Sequence, residues 1–304
     1  MALLTAFFRL IRWPNLVFIG LTQVLFYYIV VQPSDFAPVL FACLCAASIL
    51  IAAAGYIIND YFDLNIDRMN KPDRLVVDRT IKRRWAIVWH WVLSGAGVLL
   101  GFYVSWKVRN PVVGLANLFC VILLWFYSTT FKRKLLIGNV VISLLTAWVL
   151  LVLYVCEFRL ARLGNAGYQQ ILARIFKYSI VYGGFAFIIS LIREVIKDIE
   201  DLEGDVRYGC RTMPIVWGVN VAKVFAATWL VVLTGALAVI QFYLLPKAEW
   251  IMLLYCLLFL DAPLLWVLRK LYLAQTKAEY HVLSGVIKGI MLAGILSMVL
   301  IVLH

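Results

Sequence analysis

Long apolar runs recur from one end of this chain to the other, separated by short polar interruptions. A hydrocarbon core about 30 Å thick is crossed by about 20 helical residues. Nine runs reach that length: 13–32, 36–58, 86–105, 111–131, 137–156, 178–197, 215–244, 248–268 and 282–303. Backbone amides surrounded by lipid must bond within their own segment, so such runs predict helices. The first run is too long for the apolar part of a cleavable leader and lacks a small-residue cleavage site, so it is read as a retained span. The expected fold class is all-α, a polytopic membrane bundle of nine transmembrane helices. Composition agrees: 64% of the 304 residues are hydrophobic, 14% are charged and the mean hydropathy is +0.94, which excludes a soluble globular domain.

The polar exceptions are ordered. Asp60, Asp63 and Asp67 in NDYFDLNID follow the second run, and Asp198, Asp201 and Asp205 in DIEDLEGD follow the sixth with the same internal spacing. Positions i, i+3 and i+7 share a stripe of a helix, so each triplet is expected to aim three carboxylates one way. Asn59 stands on the stripe of Asp63 and Asp67. Carboxylates gathered beside a membrane repel one another, and each would cost about 2.5–3.5 kcal/mol at the bilayer centre. Something cationic has to hold them. The shared spacing also predicts two pseudo-repeated four-helix halves plus a ninth helix, within a single domain over 1–304.

The net charge of +12 is distributed by side. With the N-terminus cytoplasmic, that face collects Arg9, Arg12, the basic residues from Arg68 to Arg84, Lys132 to Lys134, Lys197, Arg207, Arg211, Arg269, Lys270 and Lys277. The other face holds Lys107, Arg109, Arg159, Arg162, Arg174, Lys177 and Lys247, an imbalance of 18 against 7. The positive-inside rule then puts the N-terminus and both acidic clusters on the cytoplasmic side of an inner, cytoplasmic membrane. Bases spread over membrane loops argue against a nucleic-acid partner. The six cysteines show no CxxC pairing and read as small buried hydrophobes. His90, His281 and His304 are isolated, and His90 reads as a packed histidine in preference to a haem ligand. The 158–177 stretch is expected to end in an interfacial helix, YQQILARIFKY.

Oxygen donors without nearby His or Cys select a hard cation. Asp63, Asn65 and Asp67 imitate the start of a calcium loop, but Arg68 stands where that loop needs glycine and Arg74 where it needs its last glutamate. Magnesium, which takes one or two carboxylates and completes its shell with water and phosphate, fits better. Two such clusters would hold Mg²⁺ ions around a diphosphate. Arg68, Lys71, Arg74 and Arg79 follow the first cluster, and Arg193, Lys197, Arg207 and Arg211 surround the second, in keeping with phosphate contact. Lys82, Arg83 and Arg84 are read as facing lipid headgroups, and Arg12, before Trp13, Pro14 and Asn15, as either snorkelling or meeting phosphate.

These segments resemble a known family. NDYFDLNIDRMNKPDR resembles the NDxxDxxxD motif of the UbiA superfamily of intramembrane prenyltransferases, and KDIEDLEGDVRYGCRTMPIVWG resembles their second, DxxxD motif with its GxxT-like tail. YSTTFKRKLLIGN is similar to the loop before their fifth helix, and with IRWPN the likeness covers nearly the whole chain. The resemblance implies nine helices around a central cavity open to lipid, and transfer of a prenyl chain from its diphosphate to an acceptor with Mg²⁺ as cofactor. It implies Asn59, Asp63, Asp67, Asp201 and Asp205 as Mg²⁺ ligands, with Asp60 and Asp198 completing the shell. Arg12, Lys71, Arg74, Lys132 and Lys197 would contact diphosphate, and Tyr127 and Asn139 would line the cavity.

In that scheme the allylic C–O bond ionises, and Tyr127, with Trp125 and Phe126, shields the carbocation. Asp198 takes the acceptor proton. The motifs look most like the branch that alkylates geranylgeranylglyceryl phosphate in ether-lipid synthesis. The loop RLVVDRTI departs from the RPLPSGRI that relatives often carry, lacking a proline and the glycine. An aromatic acceptor, as in quinone, haem or chlorophyll synthesis, is the alternative within the family. An ion- or proton-coupled transporter is the alternative outside it, disfavoured because its acids would sit at the midplane.

Overall fold

The structure is a computed structural model and describes residues 2–32, 36–70, 76–160 and 167–303. Lys71, Arg74 and His304 lie outside the described residues. Among those described, regular structure is helical apart from one isolated bridge between Val77 and Ile81. Among the described residues nine helices are long and apolar enough to cross a membrane: Trp13–Val31, Pro38–Met69, Arg83–Lys107, Pro111–Thr129, Ile137–Phe158, Tyr168–Glu200, Val219–Lys247, Trp250–Leu273 and Lys277–Val302. Each corresponds to an expected run. The chain divides into two compact units, 1–132 with 148–180, and 133–147 with 181–304.

The first unit contains α1 (Ala2–Leu10), α2 (Trp13–Leu25), α3 (Pro38–Asn70), α4 (Arg83–Lys107) and α5 (Pro111–Thr129). It also takes the later part of α6 (Ile137–Leu160) and the early part of α7 (Gly167–Glu200). In lipid no hydrophobic force draws helices together, so small residues and polar bonds set the close contacts. A Cβ at Gly97 of α4 would stand 2.7 Å from Ile51 Cγ1 and 3.1 Å from the Ala47 carbonyl oxygen. Gln23 of α2, fully buried, donates to Ser48 Oγ at 3.1 Å and to the Val149 carbonyl at 2.9 Å. Because the Ala47 carbonyl cannot move aside, Gly97→Val is expected to destabilise the α3–α4 contact by about 1–3 kcal/mol. A lowered thermal midpoint in detergent checks this, with Gly95→Ala, which meets nothing within 4 Å, as the silent control.

The second unit contains α8 (Leu202–Arg207), α9 (Met213–Val216), α10 (Val219–Leu244), α11 (Trp250–Cys256), α12 (Ala262–Leu273) and α13 (Lys277–Leu296). Its core is built from Ile192, Ile196, Leu230, Leu264, Val267 and Ile287, all fully buried. Thr276 and Glu279 form a reciprocal capping box that starts α13.

Two expectations change. YQQILARIFKY is not a separate interfacial helix but the opening turns of α7, because no glycine or proline interrupts the segment before Gly183. The second acidic triplet does not ride one helix. α7 ends at Glu200, and Asp201, with φ −92° and ψ 5°, turns the chain into α8. The first triplet does ride one helix, since α3 continues to Asn70, beyond the apolar run that ended at 58.

Candidate active site

The end of α3 in the first unit presents Asn59, Asp60, Asp63 and Asp67 on consecutive turns. Asn59 Nδ2 donates to Asp63 Oδ2 at 2.8 Å. Lys132, just after α5, donates its ammonium to the other oxygen of Asp63 and to Asn59 Oδ1, the latter at 3.3 Å. The side chains of Lys132 and Asp63 are largely buried, 11% and 15% exposed, so this pair is only weakly screened by water. Asp60 turns to a different cation. Arg12 Nη2 donates to Asp60 Oδ1 at 2.6 Å, and its guanidinium lies over the Tyr56 ring at 5.2 Å.

Arg12 occupies the left-handed region, φ 51° and ψ 51°, at the joint between α1 and α2, with Pro14 opening the next helix. That conformation costs a non-glycine residue about 1–2 kcal/mol, which points to a functional constraint on where the side chain goes. The attraction of Asp60 raises the Arg12 pKa above its ordinary value. Of the two readings of Arg12, contact with a polar site is therefore favoured over snorkelling. Arg83 is exposed, and its guanidinium lies 4.6 Å from the centre of the Tyr61 ring.

Aromatic residues wall this end of the first unit. Trp125 contacts Phe62 at 5.7 Å, His90 at 5.5 Å and Trp91 at 5.6 Å between ring centres. His90 is buried, and its Nδ1 bonds the Ala54 carbonyl at 3.0 Å, which makes it a packed helix-to-helix link. Phe126 stacks on Phe131 at 5.9 Å, and Tyr127 is half-buried on α5. Arg68 pairs with Asp78 at 3.0 Å on the surface, pinning the turn over 76–81 in which Asp78 has φ 68°.

In the second unit Asn139 Nδ2 donates to Asp198 Oδ2 at 2.8 Å. Asp201 begins α8, and the Asp205 amide donates to the Asp201 carbonyl at 3.1 Å. Lys197 bonds Glu194 at 3.1 Å, as does Arg193. His281 Nδ1 meets the buried Glu200 at 2.8 Å, tying the start of α13 to the end of α7. The structure thus brings together Asn59, Asp63 and Lys132, then Arg12 and Asp60, then Asn139 and Asp198.

No three of His, Cys, Asp and Glu close on one point among the described residues. The donors are oxygens strung along helix ends, and that suits Mg²⁺, which needs only one or two carboxylates beside water and phosphate. It does not suit the closed tetrahedral cage of structural zinc. The residues present fit Mg²⁺.

Residues 20–287 match the UbiA prenyltransferase family. The chain belongs to that family. As a UbiA prenyltransferase it is a membrane-integral enzyme, which sets the transporter alternative aside. It is 30% identical over 251 residues to a digeranylgeranylglyceryl phosphate synthase of Methanosphaera stadtmanae, covering 82% of each chain. It is 35% identical over 191 residues to the one of Methanosarcina mazei, covering 63% of this chain and 58% of the relative. Two solved structures share the UbiA fold. A UbiA homologue from Aeropyrum pernix superposes with a TM-score of 0.64 at 16% identity, covering 92% of this chain and 96% of the other. One from Archaeoglobus fulgidus bound to DMAPP and Mg²⁺ does so with a TM-score of 0.56 at 17% identity, covering 96% and 99%.

Some site residues escaped the reading of the sequence. Tyr56 under Arg12 and Phe62 against Trp125 look in sequence like ordinary members of apolar helices. Glu194, between Arg193 and Lys197, carried a signal that was available: an ionisable residue inside a span marks a functional position by default.

Proposed function

We propose that this enzyme transfers a prenyl group from a prenyl diphosphate to a glycerol-phosphate lipid, in the manner of a digeranylgeranylglyceryl phosphate synthase. Residues 1–304 act as one prenyltransferase domain, with the N-terminus and the acidic clusters on the cytoplasmic side of the cytoplasmic membrane. The observation that carries the acceptor is the 30% identity over 82% of both chains to a synthase of that name.

Asn59, Asp63 and Asp67, with Asp201 and Asp205, would hold Mg²⁺, and Asp60 and Asp198 would complete the shell. Bound there, Mg²⁺ supplies electrophilic stabilisation of charge developing on the departing diphosphate. Arg12, Lys132 and Lys197, together with Lys71 and Arg74, meet phosphate oxygens. Lys132 and Arg12 are already charge-paired with Asp63 and Asp60, so they stay close to the acids where an incoming phosphate would bind. The C1–O bond of the donor breaks with its electron pair leaving on diphosphate. Tyr127 faces the carbocation, the acceptor hydroxyl oxygen bonds C1, and its proton passes to Asp198, which Asn139 orients through Oδ2.

Incubation of the purified protein with prenyl diphosphates and a panel of glycerol-phosphate and aromatic acceptors, followed by lipid mass spectrometry, tests this. Ether lipid from the glycerol-phosphate acceptor is expected. Product from aromatic acceptors alone would overturn the acceptor assignment and leave the prenyltransferase.

A further inference from the structure

α7 ends on an acid, and helices disfavour that. The last carbonyls of a helix make its C-terminus negative, and Glu200, the final residue of α7, brings a carboxylate to that end. Its side chain is only 8% exposed, so little water offsets the repulsion and a buried charge there needs a partner. The partner is His281 Nδ1, 2.8 Å from Glu200 Oε1. An ionised carboxylate only accepts, so Nδ1 carries the hydrogen.

His281 follows a turn that is fixed by its own bonds. The Thr276–Glu279 capping box opens α13, and Glu279 also accepts from the Gln275 amide at 2.8 Å. The Ala274 carbonyl takes the Tyr280 hydroxyl at 2.9 Å and the ammonium of Lys223 from α10. Tyr280 is itself buried. With 274–280 held in this way, His281 is a fixed point from which the end of α7 can be aimed.

Glu200 stands two residues after Asp198 and one before Asp201. At Asp201 the backbone leaves α7 through φ −92° and ψ 5°, a sparsely populated region that persists where the surroundings impose it. The far end of the segment is held through its backbone: the Cys210 amide donates to the Asp205 carbonyl at 2.9 Å, and the Arg211 amide to the Arg133 carbonyl at 2.8 Å. At the near end the Glu200–His281 bond ties it to another helix.

We propose that Glu200 and His281 are positioning residues for the second acidic motif. Their bond fixes the end of α7, and with it the directions in which Asp198, Asp201 and Asp205 present their oxygens. The proposal rests on the reading above that these acids hold Mg²⁺.

His281→Phe keeps a flat ring and removes the donor, whereas His281→Asn keeps an N–H donor on the side where Nδ1 stood. The His281 side chain is 57% exposed, so neither change forces a group into the core. Mn²⁺ is the probe ion, its binding to the purified full-length protein in detergent followed by electron paramagnetic resonance. The Mg²⁺ concentration giving half-maximal release of labelled diphosphate is measured beside it. His281→Phe is expected to weaken Mn²⁺ binding and to raise the Mg²⁺ requirement about 10-fold, the lower end of what losing an outer partner costs a metal site. kcat is recovered at saturating Mg²⁺, and His281→Asn restores most of the lost affinity.

A lowered thermal midpoint with Mn²⁺ binding unmoved would make the pair a helix clamp and overturn the proposal. Equal losses in His281→Phe and His281→Asn would overturn it as well, because the bond would then not be the agent. Asp201→Ala is titrated alongside. If it binds Mn²⁺ as wild type does, the ligand reading fails and the positioning role with it. If it loses binding while His281→Phe does not, the positioning role alone fails.

Discussion

Asp63→Ala is expected to lower kcat for diphosphate release at least about 10²-fold, the loss seen when one preorganised electrostatic group is removed from a transition state. Asp63 is the hinge of the α3 cluster, bonded by Asn59 on one oxygen and by Lys132 on the other. Removing it takes away a proposed metal donor and the carboxylate paired with a mostly buried ammonium, which keeps its bond to Asn59 Oδ1. Asp63→Asn separates the two consequences, since it keeps the shape and one acceptor oxygen but not the charge. Asp201→Ala is expected to fall by a similar factor. Release of labelled diphosphate from a prenyl donor is the measurement, and rates unchanged in both alanine variants would remove the assignment of these acids.

Chelation of Mg²⁺ should abolish transfer, by about 10³-fold or more, because the leaving diphosphate must otherwise accept its charge with only side-chain cations to meet it. Added Mg²⁺ should restore turnover, and Zn²⁺ should not, since every donor in the two motifs is an oxygen. The fold should survive chelation. Asp60 and Asp63 have Arg12 and Lys132 as counter-charges, so the thermal midpoint in detergent is expected to move little when the metal is withdrawn. A collapse of the midpoint in EDTA would show the ion to be structural.

Much of this enzyme is legible along the chain. Spans are legible because crossing lipid is decided by about 20 consecutive residues, and none of the nine needed a partner helix to be recognised. The acids are legible because spacing within one helix is a local property, and for α3 the stripe is realised on a single helix. The same logic misread the second triplet. Local periodicity carried no sign that α7 would stop at Glu200 and turn at Asp201. It likewise missed that residues 168–178 would continue into a span, as hydropathy sees the charged and amide side chains there and not the unbroken helix.

Partner choice belongs to a different scale. Arg12 finds Asp60, Lys132 finds Asp63 and Asn139 finds Asp198 across 48, 69 and 59 positions of sequence. Several basic residues lay near each acid in sequence, and nothing local ranks them. The sequence by itself determined nine spans and two oxygen-rich motifs, because membrane insertion and helical spacing are local, and the prenyl chemistry followed from the likeness of those motifs to a known family. Only the tertiary structure decided which cation meets which acid, because that depends on helix register, which close packing at Gly97 and Gly294 sets.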